Sequence, residues 1–235
     1  MTYPLYIIFG VLPSIIWLLF YLRKDVHPES NRMVLKIFFY GMLVAIPAVF
    51  LEMGIFQEIN KLNLSPFFIS VLNTFLGVAL VEESLKYLVV REKVLNNAEF
   101  DEPIDAVLYM IIAALGFAAL ENILILFPLG PIFFLTRALS ISVFRFLGAT
   151  FLHALCSGLI GYFLALAIFE TKKREILISF GLGISIFLHG LYNLYIMGVE
   201  GGLKFLIPLI ILISLATFLT FGFKKLQKMK SVCKI

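Results

Sequence analysis

Long apolar stretches follow one another along almost the whole chain, separated by short polar loops. A helix needs about 20 mostly apolar residues to cross the hydrocarbon core of a bilayer. Seven stretches meet this requirement: Tyr3–Tyr21, Met33–Phe56, Pro66–Val90, Ile104–Phe127, Phe146–Phe169, Glu175–Met197 and Leu203–Phe223. The pattern predicts an all-α, polytopic transmembrane helical bundle with seven crossings.

A shorter apolar segment, Ile132–Arg145, follows the fourth stretch and contains Arg137. We predict that it forms a short re-entrant or interfacial helix, which gives eight helices in all. An eighth crossing is the alternative. It would place the basic loop Lys172–Arg174 on the outer side of the membrane, against the preference of Lys and Arg for cytoplasmic loops.

The distribution of basic residues predicts the orientation of the bundle. Lys and Arg are concentrated in Arg23–Arg32, in Lys172–Arg174 and in the tail Lys224–Lys230, whereas Gln57–Ser65 and Gly198–Gly202 carry almost no positive charge. By the positive-inside rule the basic loops and the C-terminus are cytoplasmic, and the N-terminus lies outside.

Composition supports a membrane protein and adds little beyond it. The chain is 61% hydrophobic and only 14% charged, with a mean hydropathy of +1.03, which is far from the composition of soluble domains. Since the spans use most of the 235 residues, we expect a single integral membrane domain, residues 1–235, in the cell membrane. The net charge of +4 does not indicate nucleic-acid binding, because the basic residues lie mostly in loops and the tail.

Four of the apolar stretches carry polar groups well inside them. An ionisable side chain in hydrocarbon costs several kcal/mol unless it is paired or faces a wet cavity. The sequence therefore predicts one shared polar site, within a catalytic core of residues 73–197. The predicted catalytic residues are Glu82, Glu83, Glu121, His153 and His189, and the predicted supporting residues are Lys86, Phe117, Asn122 and Asn193.

The pair of glutamates lies next to a lysine on the third span. Residues three or four apart share a helix face, so Glu82 and Glu83 can both reach Lys86. We predict that Glu82 forms the ion pair and that Glu83 activates water, with the two roles exchanged as the alternative. A structural interpretation is that Lys86 extends to the interface and the glutamates only neutralise it.

The histidines allow two chemistries. In one, a glutamate activates water while His153, His189 and Asn193 stabilise the oxyanion. In the other, Glu121, His153 and His189 bind a divalent metal such as zinc, which lowers the pKa of bound water. The sequence lacks the H-E-x-x-H signature of zinc proteases, and spacing does not choose between the two.

A non-catalytic membrane scaffold is the competing class, in which the same polar groups only hold helices together. Other polar residues in apolar stretches have simpler interpretations. Glu52 and Lys36 are predicted to be interface or packing groups. Arg145 is predicted either to pair with a buried carboxylate or to anchor a surface helix.

The four motifs, in this order, resemble those of the PrsW family of intramembrane proteases. They read Glu82-Glu83-Ser84-Leu85-Lys86, Phe117-Ala118-Ala119-Leu120-Glu121-Asn122, His153-Ala154 and His189-Gly190-Leu191-Tyr192-Asn193. The resemblance implies an endopeptidase that cleaves a membrane-anchored protein, similar to an anti-sigma factor. Its oligomeric state is left open.

The resemblance also implies kinship with CAAX prenyl endopeptidases and bacteriocin-immunity-like membrane proteases, which are the alternative enzyme class. CAAX enzymes carry E-E-x-x-x-R and F-x-x-x-H. This chain has Lys86 at a different spacing and Glu121 in place of the histidine, which argues against a prenylated substrate.

Helix geometry raises one difficulty for a shared site. Glu82 lies 16 residues after Pro66, and Glu121 lies 17 residues after Ile104. At 1.5 Å per residue both are about 24–26 Å along antiparallel helices, which places them at opposite depths. A common site then requires the third helix to begin near 71–73 and to run past Arg91, or the helices to tilt, or the bilayer to thin. If none of these holds, Glu121 belongs to a different site.

Overall fold

The computed structural model describes residues 2–25, 27–129 and 135–229, and this part of the chain contains helices and no strand. Two short 3₁₀ turns, Phe127–Leu129 and Thr171–Lys173, accompany the longer helices. The longer helices are α1 (Thr2–Leu22), α2 (Asn31–Asn60), α3 (Pro66–Lys93), α4 (Pro103–Leu126), α5 (Leu135–Leu147), α6 (Ala149–Phe169), α7 (Arg174–Gly198) and α8 (Leu203–Leu226).

The all-α bundle is confirmed. Among the described residues, seven helical segments are long and apolar enough to cross a membrane, with α5 and α6 counted together as one of them. The helix α5 has 13 residues, so it extends about 20 Å, less than the ~30 Å of a hydrocarbon core. It corresponds to the predicted short helix, whose first residues, 132–134, lie outside the described residues.

Helix α4 forms the centre of the bundle, and its residues from Pro103 to Ala119 are buried without a break. Close contact with its neighbours requires glycine. A Cβ atom on Gly41 of α2 would overlap the carbonyl oxygen of Ala113, and one on Gly161 of α6 would overlap the backbone of α4. Small residues at helix crossings let backbones approach closely within a membrane, so α2 and α6 pack directly on α4.

Helix α3 has the start that the predicted span Pro66–Val90 gave it, but its internal geometry differs from a regular α-helix. It begins at Pro66 and not near 71–73, although it does run past Arg91. The segment Asn73–Ala79 is π-helical. A π turn contains more residues than an α turn, because its hydrogen bonds join residues five apart. Glu82 therefore lies less far along the helix axis than 16 α-helical residues would place it.

The loops before α2 and α4 contact each other at one end of the bundle. The Ser30 hydroxyl donates to Glu99 at 2.5 Å, and His27 Nδ1 lies 2.7 Å from Glu102 Oε1. The Tyr109 hydroxyl of α4 donates to Glu29 Oε2 at 2.5 Å. Burial of the Glu29 carboxyl raises its pKa to about 8. Glu29, which lies before α2 and outside the predicted spans, is therefore a carboxyl that can change its protonation near neutral pH.

Candidate functional site

The centre of the site is an ammonium group held by two carboxylates of its own helix. Lys86 Nζ donates to Glu83 Oε1 at 2.8 Å and to Glu82 Oε2 at 3.1 Å. The Lys86 side chain is 0% exposed. A lysine that extended to the interface would keep its ammonium in water, so the structure excludes that interpretation.

Both oxygens of Glu83 are occupied by neighbouring helices. His189 Nδ1 on α7 lies 2.8 Å from Glu83 Oε1, and the Ser157 hydroxyl on α6 donates to Glu83 Oε2 at 2.9 Å. Glu83 itself is 0% exposed. A buried carboxylate is stable only when its hydrogen-bonding capacity is met, and Glu83 meets this condition with Lys86, Ser157 and His189.

His153 joins the lysine to the carboxylate of α4. Its Nδ1 lies 2.7 Å from Lys86 Nζ, and its Nε2 lies 2.9 Å from Glu121 Oε2. Glu121 therefore belongs to the same site as Glu82 and Glu83, despite the depth difference that straight antiparallel α-helices would produce.

The short helix α5 also contributes to the site. Arg145 NH2 lies 2.7 Å from Glu121 Oε2, and Arg145 Nε donates to Asn122 Oδ1. The Asn122 amide donates at 3.1 Å to the Gly10 carbonyl of α1 and at 3.1 Å to the Thr150 hydroxyl of α6. Asn122 on α4 is thus hydrogen-bonded to α1, α5 and α6. These bonds fix the position of the neighbouring Glu121.

The two remaining predicted residues differ in their placement. The ring of Phe117 lies under the Lys86 ammonium, with 4.5 Å between Nζ and the ring centroid, a cation–π contact. Asn193 lies on α7 one turn after His189 and is half-buried. Within the described part of the chain its side chain makes no hydrogen bond.

The donor set at the centre fits a divalent metal. Glu82, Glu83, His153 and His189 each offer one atom, and these four atoms lie within 4.8 Å of one another. Imidazole nitrogen and carboxylate oxygen are ordinary zinc ligands. Glu121, which the sequence named as a candidate ligand, is not part of this group of four and instead contacts His153.

The fold and the site together define a polytopic membrane protein with a buried centre of carboxylates and imidazoles. A family model described as PrsW family intramembrane metalloprotease matches residues 29–220. The chain belongs to this family and is a peptidase. This result selects the PrsW family over the CAAX-type and bacteriocin-immunity-like proteases, which the motifs had left as alternatives.

Curated relatives give the same result. Protease PrsW of Geobacillus kaustophilus is 33% identical over 192 residues, which is 81% of this chain and 79% of the relative. Protease PrsW of Bacillus subtilis is 30% identical over 225 residues, with 95% and 94% of the two chains covered. Protease PrsW of Oceanobacillus iheyensis is 28% identical, with 87% and 88% covered. No solved structure matches the chain.

Sequence reasoning left two contributors to the site without a specific role. Ser157 lies one helical turn after His153, but its hydroxyl binds Glu83 on another helix. Arg145 was assigned either to a carboxylate or to a surface, and the structure shows the carboxylate pairing. An arginine within an apolar segment is the sequence signal that such a carboxylate partner exists.

Proposed function

We propose that this peptidase is an intramembrane endopeptidase that cleaves a membrane-anchored protein, similar to an anti-sigma factor. The observation that carries the proposal is the convergence of Glu82, Glu83, His153 and His189 from three helices inside one apolar bundle. Such a cluster is costly in a membrane, and a buried centre of this kind suits activation of water away from bulk solvent.

The contacts support Glu82 as the group that acts on water, which exchanges the two predicted roles. Glu83 uses both oxygens, whereas Oε1 of Glu82 has no hydrogen bond within the described residues. Oε2 of Glu82 lies 3.5 Å from His153 Nδ1 and 3.9 Å from His189 Nε2. Glu82 is therefore the carboxylate with spare capacity beside the two imidazoles, of which His189 Nε2 is the nitrogen without a hydrogen bond within the described residues.

Without a metal, the reaction proceeds as follows. Glu82 takes a proton from water as the water oxygen bonds to the scissile carbonyl carbon. The carbon–nitrogen bond then breaks, and the proton moves to the leaving amine. The three hydrogens of the Lys86 ammonium go to Glu82, Glu83 and His153, so Lys86 adds positive charge near the developing oxyanion and no hydrogen bond to it. Asn193, predicted as a further oxyanion donor, retains that role as part of the proposal.

A divalent metal would be held by Glu82, by His189 Nε2 and, in place of its contact with Lys86, by His153 Nδ1. The ion would lower the pKa of bound water and polarise the scissile carbonyl. Glu121 and Glu83 each contact the other nitrogen of one histidine. Histidines that bind metals usually direct their second nitrogen to a carboxylate in this way. Glu121 then orients a ligand and is not one itself.

A comparison of membrane proteomes tests the function. Cells that contain the wild type, Glu82→Gln or no protein are compared, and a single-span protein is sought that is shortened only with the wild type. We expect the variant to accumulate normally and the shortening to disappear. An unchanged proteome would contradict the protease. A scaffold would show lost assembly in place of lost cleavage, because breaking a buried pair is destabilising.

The proposal includes a single membrane domain with its catalytic core at 73–197, the N-terminus outside and the C-terminus in the cytoplasm. The support is the basic loop Lys172–Arg174 and the basic tail, which the positive-inside rule assigns to one side. Reporter fusions at Lys173 and at the C-terminus are both expected to report cytoplasm. Opposite sides for the two would contradict seven crossings.

A further inference from the structure

A single acidic residue on α2 lies on the face that packs towards the site. Ala45 and Ala48 of α2 are buried in a cluster with Val81 of α3 and Phe117 of α4. Glu52 follows Ala48 by four residues within the same helix, and residues four apart lie on one helix face. Glu52 therefore continues the stripe by which α2 contacts the two helices that carry the catalytic carboxylates.

The next turn of α2 returns to the same neighbour. Phe56, four residues after Glu52, contacts α3 so closely that a Cβ atom on Gly77 would overlap its ring. Contacts on either side of Glu52 thus face α3, and Gly77 belongs to the π-helical segment just before the glutamate pair. The position of Glu52 at the edge of the site follows from these contacts alone.

Electrostatics agrees with this placement. The charged groups that act on the Glu52 carboxyl are Glu82, Glu121 and Lys86, all of them in the site. Glu52 is half-buried and makes no hydrogen bond or ion pair within residues 2–25, 27–129 and 135–229. The interface or packing role that the sequence predicted for Glu52 does not by itself explain a carboxyl that lacks a partner.

The two cations of the described site, Lys86 and Arg145, already have carboxylate partners other than Glu52. Lys86 bonds to Glu83, and Arg145 pairs with Glu121. Glu82 also bonds to Lys86 and is the carboxylate proposed to take a proton from water. A carboxylate in an apolar bundle is costly unless it gains a cation. Glu121 is 27% exposed and Glu52 is half-buried, so neither side chain is fully enclosed by the bundle.

We propose that Glu52 is a specificity residue that binds a basic side chain of the membrane-anchored substrate beside the scissile bond. This inference rests on the proposed function. A lysine or arginine of the substrate would supply the cation that the chain itself does not supply to Glu52, and the ion pair would hold the adjacent peptide bond next to Glu82. Charge complementarity of this kind determines which substrates bind.

A reporter library tests the inference. Single-span reporter proteins, randomised in the residues that flank the membrane, are expressed with the wild type, Glu52→Gln, Glu52→Lys or Glu58→Gln. Glu58 is the matched control, because it is an exposed glutamate on the same helix. Cleaved reporters are sequenced and compared with those from Glu82→Gln cells.

With the wild type we expect Lys and Arg to be enriched at one position near the cut by about tenfold, the equivalent of ~1.4 kcal/mol. Glu58→Gln should keep this enrichment and Glu52→Gln should lose it, while Glu52→Lys should favour Asp and Glu. Cleavage without any basic preference, or with a preference that survives in Glu52→Gln, overturns the inference and leaves the protease standing. If wild-type cells cleave no more reporter than Glu82→Gln cells do, both the protease function and the role of Glu52 are overturned.

A second measurement separates recognition from packing. Glu52→Met removes an unpartnered carboxyl from an apolar face, so the melting temperature of the purified protein in detergent should stay the same or rise. A packing role would instead lower it. A fall in melting temperature combined with an unchanged sequence preference would overturn the assignment.

Discussion

The Lys86 ammonium lies 2.7 Å from Nδ1 of His153, and this contact determines which imidazole nitrogen carries the proton. An ammonium group only donates hydrogen bonds, so Nδ1 accepts. Nε2 then carries the hydrogen and donates to Glu121 Oε2 at 2.9 Å. His189 donates from Nδ1 to Glu83, which leaves its Nε2 lone pair free.

Removing the charge of Glu121 should weaken catalysis through His153. In Glu121→Gln the imidazole loses its carboxylate acceptor, and Arg145 loses its ion-pair partner. We expect cleavage to fall about 10- to 100-fold, as for other carboxylates that orient an active-site histidine. The measurement is reporter cleavage per amount of protein in the membrane.

The double variant Glu121→Gln/Arg145→Gln provides the control for stability. It removes the unpaired cation, so it should restore protein abundance without restoring cleavage, because His153 still lacks its carboxylate. Recovery of cleavage in the double variant would show that Glu121 acts only as the partner of Arg145.

The two glutamates of α3 should respond differently to the same substitution. Glu82→Gln should keep normal abundance and lose at least ~100-fold in cleavage, the usual effect of removing a general base. Glu83→Gln disturbs three buried hydrogen bonds, and breaking a buried ion pair costs about 3–5 kcal/mol. Its abundance should therefore fall.

Membrane abundance and cleavage, measured in parallel, distinguish the two assignments. Normal abundance of Glu83→Gln with complete loss of cleavage would instead support Glu83 as the base, the role that helix geometry first predicted.

Much of the fold was predictable because a bilayer limits the possibilities. The apolar runs identified the spans, and Arg137 and Arg145 marked the segment that is too short to cross. The grouping of Glu82 with His153 followed from the cost of leaving either unpartnered in hydrocarbon.

The pairings within the site were less accessible to sequence reasoning. Periodicity alone did not reveal the π-helical segment Asn73–Ala79, which changes the depth of Glu82. The i,i+4 rule favoured Glu82 as the main partner of Lys86, yet the shorter bond goes to Glu83. Tertiary contacts from Ser157 and His189 determine which carboxylate is saturated, and spacing along one helix contains no information about them.

Metal removal should separate the two chemistries. If the centre holds a divalent ion, purified protein will contain about one ion per chain, and His153→Ala and His189→Ala will each lower that content. A chelator will abolish cleavage and added zinc will restore it. Elemental analysis gives the first result independently of activity. Full cleavage by metal-free protein would contradict the metal mechanism and support the one in which Glu82 activates water without a metal.

Stability should fall as pH rises towards 8 because of Glu29. Burial, together with the neighbouring carboxylates of Asp105 and Asp25, raises the pKa of this carboxyl from 4.5 to about 8, against the lowering effect of the Tyr109 hydrogen bond. Between these two pH values the folded chain holds a proton that the unfolded chain has released. The contribution of Glu29 to stability is therefore fully present below about pH 4.5, decreases up to about pH 8 and is lost above it.

The variant Glu29→Gln keeps the hydrogen-bond acceptor for Tyr109 and removes the titration. We expect the melting temperature of the wild type in detergent to fall more between pH 5 and pH 8.5 than that of Glu29→Gln. Glu58→Gln, which changes an exposed carboxylate at the far end of α2, should behave like the wild type. Equal falls in all three proteins would show that the contact of Glu29 with Tyr109 and Asp105 does not control the pH response.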